Sequence, residues 1–406
     1  MKRRTTVIGK NLYLVEGAFR WGLYDLEKEI AIVIDRQSGE LLNEIANIEV
    51  SGDQKRRFLQ QYASAVWDES RALKITKRLF EAEIIPAPEK IPMDLLWLEI
   101  TDDCNEKCIH CYVGSERTLE RKRFMPLGLA KKIIRQGRKT EFRKLQFTGG
   151  EPLLHPHFFE MVAFAREINY PEIEVYTNLT IVTESELKRL KTLDVMIATS
   201  LLGPSATIHD VCTRTPGSFS RWYNNMKRLR SLGVPYRIGV VRMRQNEETM
   251  SEIEKFLRKE GFLAVNEPFK PDDIRLTANM TNNADLSPLG TFSNDNNPWL
   301  TVNPTFFHRA RHYNPCWRGE LAVATDGNVY PCVFSRKLVI GNLGNETLSN
   351  VLKRLREKYW VITLDRVEKC RDCELRYACM DCRALSFNTS GDLYGPPTRC
   401  NYNPYH

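Results

Sequence analysis

The sequence has no long apolar run. Its N-terminus, MKRRTTVIGKNLYLVEG, is basic, but no apolar stretch follows that would form the core of a signal peptide, and no segment approaches the length of a membrane span. Internal repeats and low-complexity tracts are absent as well. These absences argue against a secreted or membrane-spanning protein, and we expect a cytoplasmic protein without a membrane partner.

A strong excess of charge of one sign is also missing. The 59 Lys and Arg residues exceed the 51 Asp and Glu residues by only eight in 406 residues. The basic clusters Lys2–Arg4 and Arg121–Arg123 are interpreted as solvated surface charge, although a basic surface also favours encounter with nucleic acid or an acidic peptide. They lack the interleaved aromatic residues of RNA-binding surfaces, so nucleic acid is not the expected partner.

Residues 1–90 are predicted to form a small separate module. The segment Phe19–Ile34 is rich in aromatic and β-branched residues and predicts two or three short strands. Amphipathic helices are predicted near Lys55–Trp67 and Ser70–Glu83, before the breaker-rich segment PAPEKIP. Strands followed by helices are typical of a winged-helix-like module.

Residues 91–271 alternate between apolar, strand-like runs and helix-length segments. Repeated βα units of this kind predict an α/β fold with a parallel sheet, open or barrel-like. In such folds the chemistry lies at the carboxyl ends of the strands. The predicted strands are Leu95–Ile100, Lys144–Phe147, Ile173–Tyr176, Val195–Ser200 and Tyr236–Val241, and the predicted helices include Phe158–Ile168, Glu184–Leu193 and Arg221–Leu232.

Cysteine, in contrast, is abundant, with eleven residues. In a long chain without a secretion signal, clustered thiols indicate metal binding rather than disulfides. Cys104, Cys108 and Cys111 have the spacing CxxxCxxC directly after the first strand of the repeat. Three thiolates suit an iron–sulfur cluster and leave its fourth iron open to a small molecule. A structural zinc site with His110 as fourth ligand is disfavoured, because such sites normally use two separated ligand pairs.

This spacing resembles that of the radical S-adenosylmethionine superfamily, and the resemblance extends over about residues 95–271. It implies a partial (β/α)6 TIM-like barrel with one [4Fe–4S] cluster, whose open iron binds S-adenosylmethionine. One electron from a strongly reducing donor, such as a flavodoxin or a ferredoxin, then releases a 5′-deoxyadenosyl radical.

The segment Thr148–Pro152, TGGEP, follows the second predicted strand. Its two glycines allow a ligand to approach the backbone closely, and Glu151 can accept from an ammonium group. In the superfamily, this place binds the amino group of S-adenosylmethionine. The resemblance implies a cofactor site that contains Tyr112, Gly149, Gly150, Glu151, Pro152, Asn178, Ser200 and Arg214.

The segment ATSLLGPSATIHDVCTRTPGSF resembles the peptide-modifying branch of this superfamily. That branch usually carries an acid where this chain has Leu202, so a role for such an acid in substrate handling is not expected here. Cys212 belongs to neither cysteine group. We expect it to be a small buried side chain, and not the hydrogen-atom donor that a radical epimerase would need.

Residues 272–315 are predicted to be a connector with little regular structure, and residues 316–406 a cysteine-rich domain. The context TDGNVYPC around Cys332 resembles the SPASM domain, which implies two auxiliary [4Fe–4S] clusters and thus three clusters in all. The proximal cluster then has only three cysteines, and its fourth site is expected to be open or held by His308 or His312. By order, the distal ligands are Cys370, Cys373, Cys379 and Cys400, and the proximal ligands are Cys316, Cys332 and Cys382.

These features predict an enzyme that modifies a ribosomally synthesised precursor peptide by crosslinking, thioether formation, epimerisation or backbone excision. The N-terminal module is expected either to hold a leader peptide by strand addition or to cap the barrel without a partner. One alternative is a formylglycine-forming enzyme similar to anaerobic sulfatase maturases, against which the extra 90 residues and Leu202 weigh. Another is a zinc-binding nucleic-acid module, which leaves GGEP and the βα repeat unexplained.

Protein prepared without oxygen is expected to contain about four iron atoms and four sulfides for each of the predicted clusters, because each is of the [4Fe–4S] type. Chemical analysis of iron, sulfide and zinc measures this directly. Zinc without sulfide would contradict the prediction and favour the zinc-binding module.

Overall fold

A computed structural model describes residues 3–55, 57, 92–114, 123–243, 245–269, 272–273, 299–398, 400 and 402–405. The chain forms two compact units. Unit 1 comprises Met1–Ile91, Ser287–Arg318 and Lys358–His406, and unit 2 comprises Pro92–Leu286 and Gly319–Glu357. Among the described helices, none is long and apolar enough to cross a membrane.

This division differs from the predicted succession of domains along the chain. The N-terminal module and most of the cysteine-rich region fall in the same unit, whereas residues 319–357 fall with the βα repeat. The two helices predicted near Lys55–Trp67 and Ser70–Glu83 lie outside the described residues, apart from residues 55 and 57.

Unit 1 opens with four strands and a helix. Two strands precede Phe19, so the strand-rich region begins earlier than the predicted Phe19–Ile34. The helix starts at Asp35, whose carboxylate accepts a hydrogen bond from the N–H of Ser38 at 2.8 Å and caps the first turn. The elements are β1 (Thr5–Gly9), β2 (Leu12–Glu16), β3 (Trp21–Asp25), β4 (Ile30–Ile34) and α1 (Arg36–Asn47).

Unit 2 continues with the predicted alternation of strands and helices. All five predicted strands and the three predicted helices are confirmed, with ends that differ by a few residues. The elements are β5 (Met93–Thr101), α2 (Leu127–Lys139), β6 (Phe142–Gly149), α3 (Phe158–Glu167), β7 (Glu172–Tyr176), α4 (Glu184–Thr192), β8 (Met196–Ser200), α5 (Ala206–Thr213), α6 (Ser218–Ser231), β9 (Tyr236–Gly239), β10 (Val241–Arg242), α7 (Met250–Lys259) and β11 (Asp272–Asp273).

The remaining elements include two in the predicted connector. The prediction of little regular structure is wrong for Trp299–Ala310, which forms a strand and a helix. The helix is favoured locally, because Asn303 caps it and Pro304 stands in its first turn. These elements are β12 (Trp299–Thr301), α8 (Pro304–Ala310), β13 (Glu320–Val323), β14 (Asn328–Tyr330), β15 (Gly341–Asn342), α9 (Leu348–Leu355) and α10 (Arg383–Ser390).

The sheet of unit 2 has eight strands in the order β15-β14-β13-β5-β6-β7-β8-β9. Strands β5 to β9 are parallel neighbours in chain order, β13 pairs in parallel with β5, and β10 pairs in parallel with β11. The predicted α/β class is therefore correct. Strands β14 and β15 are antiparallel to their neighbours. Because β5 to β9 are parallel, their carboxyl ends meet at one edge, where the loops of the sequence motifs begin.

The sheet of unit 1 has five antiparallel strands in the order β1-β2-β3-β4-β12. One face packs on the C-terminal part of the chain: Tyr13, Tyr24 and Phe307 share a core with Leu375 and Tyr377. The hydroxyl of Tyr24 donates to the carbonyl of Glu374 at 2.9 Å. The N-terminal sheet and the segment that contains Cys370 and Cys373 therefore fold around one core.

We expect Gly22→Ala to destabilise unit 1, because a Cβ on this β3 residue would overlap the backbone carbonyl oxygen of Glu374. The expected loss is about 1–3 kcal/mol of unfolding free energy, measured by chemical denaturation. Gly128→Ala is the matched control. Apart from its chain neighbours and the backbone of its own helix, no atom of the described residues lies within 4 Å of the Cβ position of Gly128, which stands in the first turn of α2. The change should therefore be neutral or slightly stabilising. Equal stabilities of the two variants would contradict the prediction.

Candidate active site and cysteine centres

The carboxyl edge of the parallel sheet surrounds a cavity of about 390 Å³ in unit 2. The loop after β5 contributes Cys104, Cys108 and Cys111 to the cavity wall. Several residues predicted for a cofactor line the same cavity, namely Tyr112, Gly149, Gly150, Asn178 and Ser200. The fold thus brings the three thiols and most of the predicted cofactor residues into one space.

The three thiols lie close enough to influence one another. Burial raises the pKa of Cys104 to about 12 and that of Cys108 well above its ordinary value, and neighbouring thiols of the motif act in the same direction. Because metals bind the thiolate, loading this loop with metal must release protons.

Within the described ranges, no three or more His, Cys, Asp or Glu side chains lie close enough together to bind one metal ion jointly. A cubane cluster does not require such convergence, since each thiolate binds a different iron. Three soft thiols on one cavity wall, beside a pair of glycines, therefore fit a cluster of this kind.

The two glycines allow close contact between the ends of β5 and β6. Gly149 has φ +134°, and a Cβ there would overlap the carbonyl oxygen of Thr101, whereas a Cβ on Gly150 would overlap that of Asp103. The N–H of Gly150 donates to Thr101 O at 2.8 Å, and the N–H of Glu151 donates to Asp103 O at 2.7 Å. These hydrogen bonds place the start of the cysteine loop against the glycine turn.

Glu151 is fully buried, and its carboxylate is held by the loop after β7. It accepts from the Thr177 hydroxyl at 2.8 Å, from the Asn178 N–H at 2.8 Å and from the Leu153 N–H at 3.1 Å. Burial raises the pKa of Glu151 to about 7, although these donors oppose the rise. Neither Glu151 nor Pro152 is among the residues that line the cavity. In the structure, Glu151 positions the segment that carries Asn178.

The other predicted cofactor residues differ in their position. The Asn178 amide donates to Asn105 Oδ1 at 2.8 Å and lies 3.9 Å from Cys104 Sγ. The Ser200 hydroxyl lies 2.9 Å from the Tyr176 hydroxyl. Arg214 follows α5 with φ 51° and is not among the lining residues, but its neighbour Thr213 is.

Sequence motifs missed part of the cavity wall. Alternate residues of the strands face the cavity, such as Trp97 on β5 and Gln146 on β6. Side chains alternate between the two faces of a strand, so this period of two in the sequence could have predicted these residues. His209 and Phe334 also line the cavity. Phe334 lies far along the chain, and a local pattern does not predict such a contact.

An ion pair joins the segment after Cys332 to β5, the strand that precedes the cysteine loop. The guanidinium of Arg336 pairs with the buried carboxylate of Glu99 on β5. It also lies 5.5 Å from the ring centroid of Tyr112 and 5.3 Å from that of Tyr330. Because Tyr112 follows Cys111 directly, this network holds the two cysteine-bearing segments together within unit 2.

The four cysteines predicted for the distal cluster are neighbours in unit 1. Burial raises the pKa of Cys379 to about 12 and those of Cys370 and Cys373 well above the ordinary value. The thiols of Cys373 and Cys379 raise the pKa of Cys370 further, and Cys400 acts in the same way on Cys373 and Cys379. Thiols that influence one another in this way are compatible with a closed four-cysteine cluster.

The predicted proximal ligands are divided between the units. Cys316 and Cys382 belong to unit 1, and Cys332 belongs to unit 2. His308 is buried, its ring lies edge-on to Tyr13, and its Nε2 has no hydrogen-bond partner in the described part of the chain. The fourth ligand of this cluster therefore stays a prediction.

Cys212 behaves as expected for a small core residue. Its side chain is fully buried and packs with Leu202 and Met243. Leu202 is also buried and lines the cavity, so the wall is apolar at the position where the branch usually carries an acid.

Two family models match the chain. Residues 98–259 match the radical SAM superfamily, and residues 316–374 match SPASM, an iron–sulfur cluster-binding domain.

Three similar proteins cover most of the chain. The AdoMet-dependent heme synthase of Nitratidesulfovibrio vulgaris is 24% identical over 76% of this chain and 92% of that protein. The mycofactocin maturase MftC of Mycolicibacterium smegmatis is 26% identical over 76% of this chain and 82% of that protein. The crystal structure of Streptococcus suis SuiB bound to precursor peptide SuiA aligns with a TM-score of 0.58 and 14% identity, over 98% of this chain and 100% of that one. At this identity the structural likeness concerns the fold alone.

We expect Arg336→Met to destabilise unit 2, because the change leaves the carboxylate of Glu99 buried without its counter-ion. The expected loss is about 3–5 kcal/mol of unfolding free energy, measured by chemical denaturation. Adding Glu99→Gln should recover part of this loss.

Arg143→Met is the matched control for this variant. Its pair with Glu172 is exposed, with 58% and 43% of the two side chains accessible, so the expected cost is about 0–1 kcal/mol. If the Arg336 and Arg143 variants lose equal stability, Arg336 does not hold the two segments together.

Proposed function

We propose that this chain, which belongs to the radical SAM superfamily and carries a C-terminal SPASM domain, modifies a ribosomally synthesised precursor peptide. The supporting observation is the cavity in which three thiols of the CxxxCxxC loop meet the glycine turn and the carboxyl ends of β7 and β8. A maturase is among the relatives, and a peptide-bound solved structure aligns over 98% of the chain.

In this proposal the cavity holds one [4Fe–4S] cluster on Cys104, Cys108 and Cys111. When bound there, the cluster and S-adenosylmethionine supply a carbon-centred radical that removes hydrogen from the substrate. The cofactor is held by residues that line the cavity or flank it, namely Tyr112, Gly149, Gly150, Glu151, Pro152, Asn178, Ser200 and Arg214. Glu151 contributes by positioning Asn178 through its buried carboxylate.

The enclosing wall keeps water away from the reactive centre. A partial (β/α)6 barrel is supported by five parallel strands in chain order, and β10, which follows β9 in the chain, pairs in parallel with β11 in a separate two-stranded sheet. Aromatic side chains line the interior, among them Trp97, Tyr176 and Phe334. Exclusion of water protects a radical from side reactions.

The SPASM region holds two auxiliary [4Fe–4S] clusters in this proposal. The distal one is bound by the four neighbouring thiols of unit 1, Cys370, Cys373, Cys379 and Cys400. The proximal one is bound by Cys316, Cys332 and Cys382, with a fourth site that is open or held by His308 or His312. When bound, these clusters would supply electron transfer to or from the substrate or would shape its pocket, and a flavodoxin or ferredoxin would supply the first electron.

The N-terminal module binds the leader part of the precursor. In the sheet of unit 1, β1 is an edge strand, and among the described residues no further strand pairs with its outer side. A peptide segment that adds to this edge gains main-chain hydrogen bonds, as in β-augmentation. Strands followed by a helix also agree with a winged-helix-like module.

A tetrapyrrole is the second candidate substrate, because the heme synthase is 24% identical to the chain. The alignment with the maturase MftC covers the same 76% of the chain at 26% identity. We favour a peptide because the segment that contains Leu202 resembles the peptide-modifying branch.

The proposal is tested with reconstituted enzyme, S-adenosylmethionine, a reductant and the short peptide encoded beside the gene. We expect 5′-deoxyadenosine and a mass change of the peptide, both measured by mass spectrometry. Turnover of a sulfatase-derived peptide to formylglycine, or of a tetrapyrrole, without change in the precursor peptide would overturn the proposed substrate class.

Two cysteine variants serve as controls for the chemistry. Cys108→Ala should reduce 5′-deoxyadenosine to background, because it removes a ligand of the predicted cluster. Cys212→Ala should retain it, since this thiol lies in the apolar cluster with Leu202. Radical formation by the Cys108 variant would refute the assignment of the cysteine loop.

A further inference from the structure

His209 is a polar residue of the cavity wall that the sequence motifs did not identify. It lies on α5, its side chain lines the same cavity as Cys108, Cys111 and Ser200, and only 2% of the residue is exposed. A polar ring so deeply buried calls for partners for both of its nitrogens.

One nitrogen of the ring has a partner in the backbone. The N–H of Leu202 donates to His209 Nδ1 at 3.2 Å. A ring nitrogen that accepts a hydrogen bond carries no proton, so the proton of the neutral imidazole is on Nε2. Burial lowers the pKa of His209 to about 4, which keeps the ring neutral at physiological pH.

The surrounding contacts fix the orientation of this ring. Its centroid lies 5.9 Å from that of Phe219 and 6.2 Å from that of Trp222. Leu202, whose N–H bonds to Nδ1, is held in place as well, because its carbonyl accepts a hydrogen bond from the Asn246 side-chain amide at 3.0 Å. The imidazole therefore presents its Nε2–H in one defined direction.

The second nitrogen has no protein partner. Within the described part of the chain, no hydrogen bond to Nε2 is formed. Nε2 is not among the polar atoms that are fully buried without a partner, so its N–H is accessible from the cavity that the side chain lines. A molecule in the cavity can accept this hydrogen bond.

The position of His209 favours the cofactor over the peptide as that molecule. The imidazole of His110, which stands between two of the cysteines, is near enough to influence the pKa of His209. His209 also belongs to the loop and helix that follow Ser200 at the carboxyl end of β8. Other lining residues lie farther from the carboxyl edge, such as Leu95 in the first half of β5 and Trp97 at its middle.

We infer that His209 is a further cofactor-binding residue, which donates a hydrogen bond from Nε2 to an acceptor atom of S-adenosylmethionine. This inference rests on the proposed function, because it assumes that the cavity is the cofactor site. It also means that the polar group next to the apolar Leu202 in the cavity wall is the neutral imidazole of His209, a hydrogen-bond donor.

Two substitutions test the roles of the two ring nitrogens of His209 separately. The amide oxygen of His209→Asn takes the place of Nδ1, so this variant keeps the acceptor for the Leu202 N–H and loses the donor. The amide nitrogen of His209→Gln reaches the place of Nε2, so this variant keeps the donor and loses the acceptor. The binding of S-adenosylmethionine to the reconstituted, cluster-loaded variants is measured by equilibrium dialysis, and the thermal unfolding of each variant is measured in parallel.

We expect His209→Asn to bind S-adenosylmethionine about tenfold more weakly, as loss of one hydrogen bond predicts, and His209→Gln to bind within about threefold of the unchanged protein. If both variants bind S-adenosylmethionine more weakly and also unfold at a lower temperature, His209 has a structural role and the inference is overturned. The inference is also overturned if the Asn variant binds the cofactor as tightly as the unchanged protein, including the case in which only its KM for the peptide rises. If the unchanged protein binds no S-adenosylmethionine, the proposed function itself fails.

Discussion

The hydrogen-bonded contact between the end of β5 and the glycine turn after β6 is the constraint on which the site depends. Gly150 and Glu151 donate to the carbonyls of Thr101 and Asp103, directly before the first cysteine of the motif. Side chains larger than hydrogen at Gly149 and Gly150 would separate these segments. The glycines were interpreted from the sequence as space for a ligand, but the structure shows that they first make room for the protein's own backbone. The position of the cysteine loop follows from this contact.

Buried polar groups extend this arrangement into the rest of the cavity wall. Glu151 uses its carboxylate to hold the backbone before Asn178, and Glu99 uses its carboxylate to hold Arg336. Each acid lies at or near the carboxyl end of a strand and is satisfied by a partner from another segment. Buried charges are costly unless they are paired and hydrogen-bonded, so these contacts hold the loops in a narrow range of positions. Rigid positioning of this kind is what a radical reaction requires of its protein.

The N-terminal sheet shares its core with the cysteine-bearing C-terminal segment. Four short strands and one described helix bury too little surface to be stable alone, and the core of Tyr13, Tyr24 and Leu375 supplies the missing burial. The hydroxyl of Tyr24 connects this sheet to Glu374, the neighbour of Cys373. A module that appears separate along the chain is therefore part of the unit that contains the four thiols proposed for the distal cluster, and metal binding there would stabilise the fold that supplies its ligands.

Local patterns in the sequence were sufficient for the class of fold and for the chemistry of the cysteine loop. Strand and helix periods arise from the backbone geometry of each segment, and the spacing CxxxCxxC lies within one loop, so neither depends on distant contacts. The directions in which side chains point do depend on distant contacts. Tertiary packing decided that Glu151 turns to the backbone of Asn178, that Arg214 stands outside the cavity lining, and that His209 and Phe334 enter it. It also paired Trp299–Thr301 with β4, because a strand as short as β12 forms only where a partner edge exists.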